Sequence, residues 1–201
     1  MKKYLLIILL MSTIWSQAQK IDTIIKMPNY TSYYSYQLHN PIFVIYSLFK
    51  GGGSCSRDKD RFITANLPNS ATSKDYEGNG YDEGHQAPAQ DFAYDCKLQE
   101  QTFRFFNCVP QTPRLNRGIW KQWETTIRKE SQHDTIQVIC GNVYGTKTIG
   151  NKVAVPSYCW KITKVKGKVT HCLLFPNDNS DSYSCVSADS LRGLYKGIAV
   201  F

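Results

Sequence analysis

Histidine is scarce in this chain of 201 residues, with only four, and no two of its seven cysteines stand at C-x-x-C spacing. His39, His85, His133 and His171 do not cluster with the cysteines, so the ligand pattern of a structural zinc site is missing. Apolar runs are short. The longest opens the chain, over residues 4–14, and is too short to span a bilayer comfortably. There is no internal repeat and no low-complexity linker, which argues against a solenoid or a flexible multi-domain array. Acidic residues are also in short supply, 16 against 24 basic, for a formal net charge of +8.

The start of the chain, "MKKYLLIILLMSTIWSQAQ", has two lysines, the short apolar run and the small-residue pattern Ser16-Gln17-Ala18. These are the three parts of a secretory signal. The expectation is a leader over residues 1–18, cut after Ala18 or Gln19, and one exported domain over residues 19–201, periplasmic or secreted, with no membrane segment in the mature form. Removing Lys2 and Lys3 leaves 22 basic against 16 acidic residues. A basic exported domain favours anionic partners such as nucleic acid. Export permits disulfides, and the odd number of cysteines leaves at least one outside any internal pair.

Beyond the leader, "YTSYYSYQLHNPIFVIYSLFK" predicts two strands joined near His39-Asn40-Pro41. "GGGSCSRDKD" predicts a loop, residues 66–91 an irregular surface-rich segment, and "TFRFFN" a short strand. Ile119, Trp120, Trp123 and Ile127 recur at helical steps and predict one apolar helix face within "LNRGIWKQWETTIRKE". Residues 134–144 read as a buried strand. "SYCWKITKVKGKVTHCLLFPN" reads as a hairpin turning at Lys166-Gly167-Lys168, with Lys161, Lys164, Lys166 and Lys168 either on a solvated tip or lining a nucleic-acid surface. Trp120, Trp123 and Trp160 read as core. Ser187 is a plausible N-cap for a final short helix. Strands outnumber helices without alternating with them, which predicts an α+β fold on a mixed or antiparallel sheet.

The chemistry concentrates in "YDEGHQAPAQDF" and in the residues downstream of it. His85 supplies an imidazole with an ordinary pKa near neutrality. Asn116 and Glu124 are eight residues apart, about 80° beyond two helical turns, and so approach one site from the same side. An amide oxygen and a carboxylate are hard ligands suited to Mg²⁺.

Together these features resemble the DNA/RNA non-specific endonucleases, whose core is the ββα-metal, or His-Me finger, motif. The resemblance is carried by Asp82-Glu83-Gly84-His85-Gln86-Ala87-Pro88, then Asn107, Pro110-Gln111, Leu115-Asn116, Trp120 and Glu124, and later "VPSYCWKI". It implies hydrolysis of DNA and RNA phosphodiesters to 5′-phosphate products with little sequence preference. It implies His85 as general base, Asn116 as the direct ligand of Mg²⁺ (or Mn²⁺ or another divalent ion) and Glu124 as the acid holding a metal-bound water. It also implies Asn107 as a supporting residue and an upstream arginine on the phosphate, for which Arg57 and Arg61 are both candidates. Glu83 stands where the family carries arginine. That substitution would raise the pKa of His85 and repel phosphate if it faced the site. The alternatives are a secreted nucleic-acid-binding protein weakened in catalysis by Glu83, or a basic interaction domain that keeps only the fold.

Overall fold

The computed structural model describes residues 19–193, so the expected leader and the last eight residues lie outside the described region. The chain builds a seven-stranded sheet in which every pairing is antiparallel. Its strands are β1 (Thr23–Lys26), β2 (Thr31–Ser35), β3 (Asn40–Leu48), β6 (Ile136–Ile149), β7 (Val153–Val165), β8 (Lys168–Pro176) and β9 (Ser184–Cys185), in the order β1-β2-β3-β6-β7-β8-β9. Of the two sheet types the sequence allowed, the antiparallel one forms. A second, two-stranded sheet pairs β4 (Asp82–His85) with β5 (Cys108–Gln111). Among the described residues five α-helices complete the fold: α1 (Ser73–Tyr76), α2 (Cys96–Gln101), α3 (Pro113–Arg117), α4 (Ile119–Glu130) and α5 (Ala188–Arg192). Among the described residues no helix is long and apolar enough to cross a membrane.

Alternation along the central strands gives the sheet two apolar faces. Val44, Tyr46, Leu48, Val138 and Cys140 face α4, where Trp120 and Ile127 fill the layer. Ile42, Phe43, Ile139, Trp160 and Ile162 form the other face with Leu191 of α5. Trp120 and Trp160 are fully buried, as their periodicity predicts, and Trp123 packs edge-on to His171 and Tyr183. Truncating Trp120 to alanine in such a layer would destabilise the fold by roughly 3–5 kcal/mol. The β7–β8 turn falls at Lys166 and Gly167, both with positive φ, and Ser187 caps α5 by accepting from the Ser190 amide at 3.0 Å.

Three local expectations are corrected. "TFRFFN" is not a strand: Phe105–Asn107 form a 3₁₀ turn, and β5 begins only at Cys108. The segment 66–91 contains α1 and β4, so His85 ends a strand rather than lying on a loop. The expected single helix through Asn116 and Glu124 is two helices broken at Gly118, whose ψ is −117°. A Cβ at Gly118 would overlap the Arg114 carbonyl and the Asp181 carboxylate, so glycine is required at the break.

Candidate active site

The order β4, β5, α3 and α4 is the expected ββα unit, and it sets three separate segments around one cavity. The cavity has a volume of about 320 Å³, and its lining includes Arg57, His85, Asn116, Lys121, Glu124 and Arg128. His85 enters from the end of β4. Directly before it, Gly84 lies so close to the Gln111 side chain that any Cβ would collide. Directly after it, the backbone is pinned by Asn107. The Asn107 Oδ1 accepts from the Ala87 amide at 2.8 Å, and its Nδ2 donates to the Ala87 and Thr102 carbonyls at 2.9 Å each. Asn107 is fully buried and lies outside the cavity lining, so its contact is with the chain that carries His85.

The imidazole of His85 packs against Phe62 and Phe103, each with its ring centroid 4.6 Å away, the second at a right angle. Its Nε2 is buried without a hydrogen-bond partner. Burial, and then the positive charge of Arg57, push the pKa of His85 down to about 3. The residue as a whole keeps some surface on the cavity while its Nε2 is enclosed, and the neutral form holds across the neutral range.

Glu83 contributes nothing to that shift, which corrects the expectation that it raises the pKa of His85. It is absent from the cavity lining and lies instead beside Ser73, Tyr76 and Cys108. There burial is the largest influence on its own carboxyl, raising its pKa, and a hydrogen bond from Ser73 opposes it.

Asn116, at the end of α3, donates its Nδ2 to Asp82 Oδ2 at 2.9 Å, which leaves its Oδ1 free as an acceptor. Asp82 also holds Arg117 through Nε at 2.8 Å and Nη2 at 2.6 Å. Glu124, on α4, has a side chain only 13 % exposed. Burial raises its carboxyl to about 7, against the lowering influence of Lys161. Behind it stands Lys161, fully buried, with Nζ 4.0 Å from Glu124 Oε1, 3.2 Å from Cys140 Sγ and 3.5 Å from the centre of the Trp120 ring. The expectation of a solvated Lys161 is therefore wrong: only the outer lysines of that stretch lie at the hairpin tip.

The two candidate arginines part here. Arg57 lines the cavity. Arg61 turns away and donates Nη1 to the Asp58 and Asp60 carbonyls at 3.0 and 2.7 Å. The loop carrying Arg57 is tied down by a Cys55–Cys96 disulfide, while the other five cysteines are free, four of them buried. The sequence reading missed Asp82 as the orienting carboxylate, and Lys121 and Arg128 as lining cations. The second pair was readable as one polar helix face, since Arg117, Lys121, Glu124 and Arg128 follow helical spacing.

The donor set suits a hard divalent ion that retains several waters: one free amide oxygen and one carboxylate face the same cavity. Among the described residues, no three His, Cys, Asp or Glu side chains come together as a closed metal nest.

The model of the DNA/RNA non-specific endonuclease family matches residues 13–192. The mitochondrial nuclease EXOG of Xenopus laevis is 32% identical over 133 residues, which cover 58% of this chain and 37% of that protein. A nuclease of Nostoc sp. is 38% identical over 92 residues, 45% of this chain and 34% of its own length. Human mitochondrial endonuclease G is 32% identical over 106 residues, 46% of this chain and 36% of that protein. The matched region thus spans roughly a third of each of these relatives. A crystal structure of the EndoG/EndoGI complex contains a chain that superposes with a TM-score of 0.76 at 22% identity, covering 92% of this chain and 89% of that one; it shares the fold. This chain belongs to the DNA/RNA non-specific endonuclease family.

Proposed function

We propose that this chain is an exported, divalent-cation-dependent nuclease that hydrolyses DNA and RNA phosphodiesters with little sequence preference, leaving 5′-phosphate ends. One observation carries the reading: Arg57, His85, Asn116 and Glu124, from separate segments of the sequence, line one cavity. The leader pattern and the Cys55–Cys96 disulfide support export.

His85 acts as the general base. Its Nε2 is buried in an aromatic setting, where a bare lone pair would face ring π density and an N–H is the better fit. That tautomer leaves the Nδ1 lone pair to take a proton from the attacking water. A neutral ring at working pH is the state a base needs. Arg57 grips the phosphate with a planar fork and favours the charge that builds on its oxygens. Asn116 and Glu124 would hold the divalent ion, with Asp82 fixing which end of the Asn116 amide faces it. When bound, such an ion would supply positive charge to the crowded phosphorus centre and the departing 3′-oxygen. Contacts of this kind are to phosphate and sugar rather than base edges, hence the weak sequence preference. The position of Glu83 outside the cavity lining favours this reading over a binding protein disabled by that residue.

The test is the chemistry of the ends. Fragments of a cleaved plasmid should accept a 5′ label from a kinase only after phosphatase treatment. Fragments that label directly, with the phosphate retained on the 3′ side, would refute the proposed direction of attack.

A further inference from the structure

Each carboxylate around the cavity already faces a cation. Asp82 takes Arg117 and the amide of Asn116. Asp91, fully buried, takes Arg128 at 2.8 Å and the Tyr46 hydroxyl at 2.9 Å. Glu124 faces Lys161 at 4.0 Å. Lys161 is the decisive one. Its ammonium has no contact with solvent, rests on the Trp120 ring and does not line the cavity. Its charge therefore acts on Glu124 with little screening by water. Two further cations, Arg57 and Lys121, line the cavity and join no ion pair among the described residues. Five cations thus stand against three carboxylates. A divalent ion arriving alone meets one neutral amide oxygen, one carboxylate whose charge Lys161 offsets, and a wall of net positive charge.

We propose that this chain binds its divalent ion and its phosphodiester cooperatively, the substrate supplying the negative charge that Lys161 cancels on Glu124. The inference rests on the nuclease reading and deepens it. Each nucleotide linkage carries one negative charge. With one phosphodiester seated on Arg57 and Lys121, about half of that excess positive charge is neutralised and the ion enters at lower electrostatic cost. Linkage requires the reverse as well: the ion tightens the phosphodiester by the same factor. Free of nucleic acid, the protein would hold little metal, and its cavity would admit whichever suitable divalent ion accompanies the substrate.

The experiment uses the chain from residue 19 onward with His85→Ala, so that nothing is cleaved, at pH 8.5. Mn²⁺ binding is followed by electron paramagnetic resonance, alone and with a 12-nucleotide phosphorothioate DNA, after subtracting binding to the DNA itself. The expected result is an Mn²⁺ affinity at least tenfold higher with the DNA, matched by an equal rise in DNA affinity on adding Mn²⁺. Arg57→Gln, a change on an exposed loop, and Lys161→Gln, a change in the core, should both tighten Mn²⁺ binding in the absence of DNA and shrink the coupling. A damaged site would lose metal affinity; relief of repulsion raises it. The Arg57 variant carries the test if the Lys161 variant does not fold. Equal Mn²⁺ affinity with and without DNA overturns the cooperative proposal and leaves the nuclease reading standing. Folded protein that takes up neither DNA nor Mn²⁺, even together, overturns both.

Discussion

Asn116 donates its amide nitrogen to Asp82 at 2.9 Å, and this bond decides which end of Asn116 faces the cavity. A carboxylate can only accept, so the nitrogen must turn to Asp82 and the oxygen to the open side. Asp82→Ala frees the amide to rotate and removes the partner of Arg117. Metal affinity in the presence of oligonucleotide should fall roughly 10- to 100-fold, the usual effect of losing a residue that orients a ligand. Calorimetric titration checks it, and an unchanged affinity would show that Asp82 does not orient the site.

Arg57 and Arg61 lie four residues apart but should behave differently. Arg57→Ala removes a charge-assisted contact worth about 1.5–3 kcal/mol, so kcat/KM on DNA should drop by roughly 10- to 100-fold. Arg61→Ala should stay within about twofold of wild type, because its guanidinium is held by the Asp58 and Asp60 carbonyls of its own loop. Steady-state kinetics on one substrate decides between them.

The pH profile should report Glu124 rather than His85. The His85 imidazole is pushed down to about 3, so the proposed base is neutral across the assay range. The Glu124 carboxyl titrates at about 7, so activity should fall about tenfold per unit as pH drops below that value. Raising the metal concentration should move this limb to lower pH, since a nearby cation favours the carboxylate. A limb fixed at one pH at all metal concentrations would contradict the assignment. Glu83→Gln should leave the limb in place, because Glu83 is outside the cavity lining.

Stability should follow the same two groups with opposite sign. The folded value of His85 lies below its ordinary 6.5, so its contribution is complete above that pH and is lost as pH falls toward 3. The folded value of Glu124 lies above its ordinary 4.5, so its contribution is complete below that pH and is lost as pH rises through 7. Relative to wild type, His85→Ala should therefore gain Tm on acidification, and Glu124→Gln should gain it between pH 5 and 8. Thermal melts across pH 4–8 test both.

The Cys55–Cys96 link closes a span of 41 residues, for which chain entropy gives about 4 kcal/mol. Cys55→Ser with Cys96→Ser should lower stability by roughly 2–4 kcal/mol. It should also raise KM more than it lowers kcat, since the loop it restrains carries Arg57. Denaturant melts and kinetics on the same preparation separate the two effects.

The candidate residues could be picked out because their order along the chain is distinctive, and the structure brings His85, Asn116 and Glu124 to one cavity despite their separation. Their local frame was harder to read. The apolar rhythm from Leu115 to Ile127 runs on across Gly118, so the helix break is invisible to periodicity and appears only in the backbone angles. β4 is four residues long with a central glycine and two acids, so it gives no strand signal. Lys161 follows the inward alternation of Cys159 and Thr163, yet its charge pointed to solvent; only Glu124 and the Trp120 ring, both distant in sequence, make its burial tolerable. Arg57 could not be separated from Arg61 because the Cys55–Cys96 tether places the loop, and disulfide connectivity is not written in cysteine positions.

The most direct measurement is degradation of plasmid DNA and of RNA by the protein from residue 19 onward, with Mg²⁺ or with EDTA, beside His85→Ala. The account predicts cleavage of both substrates with Mg²⁺, none with EDTA, and loss of activity in the folded His85→Ala protein. Folded, Mg²⁺-supplied wild type that leaves both DNA and RNA intact, or cleavage that survives His85→Ala, would contradict it.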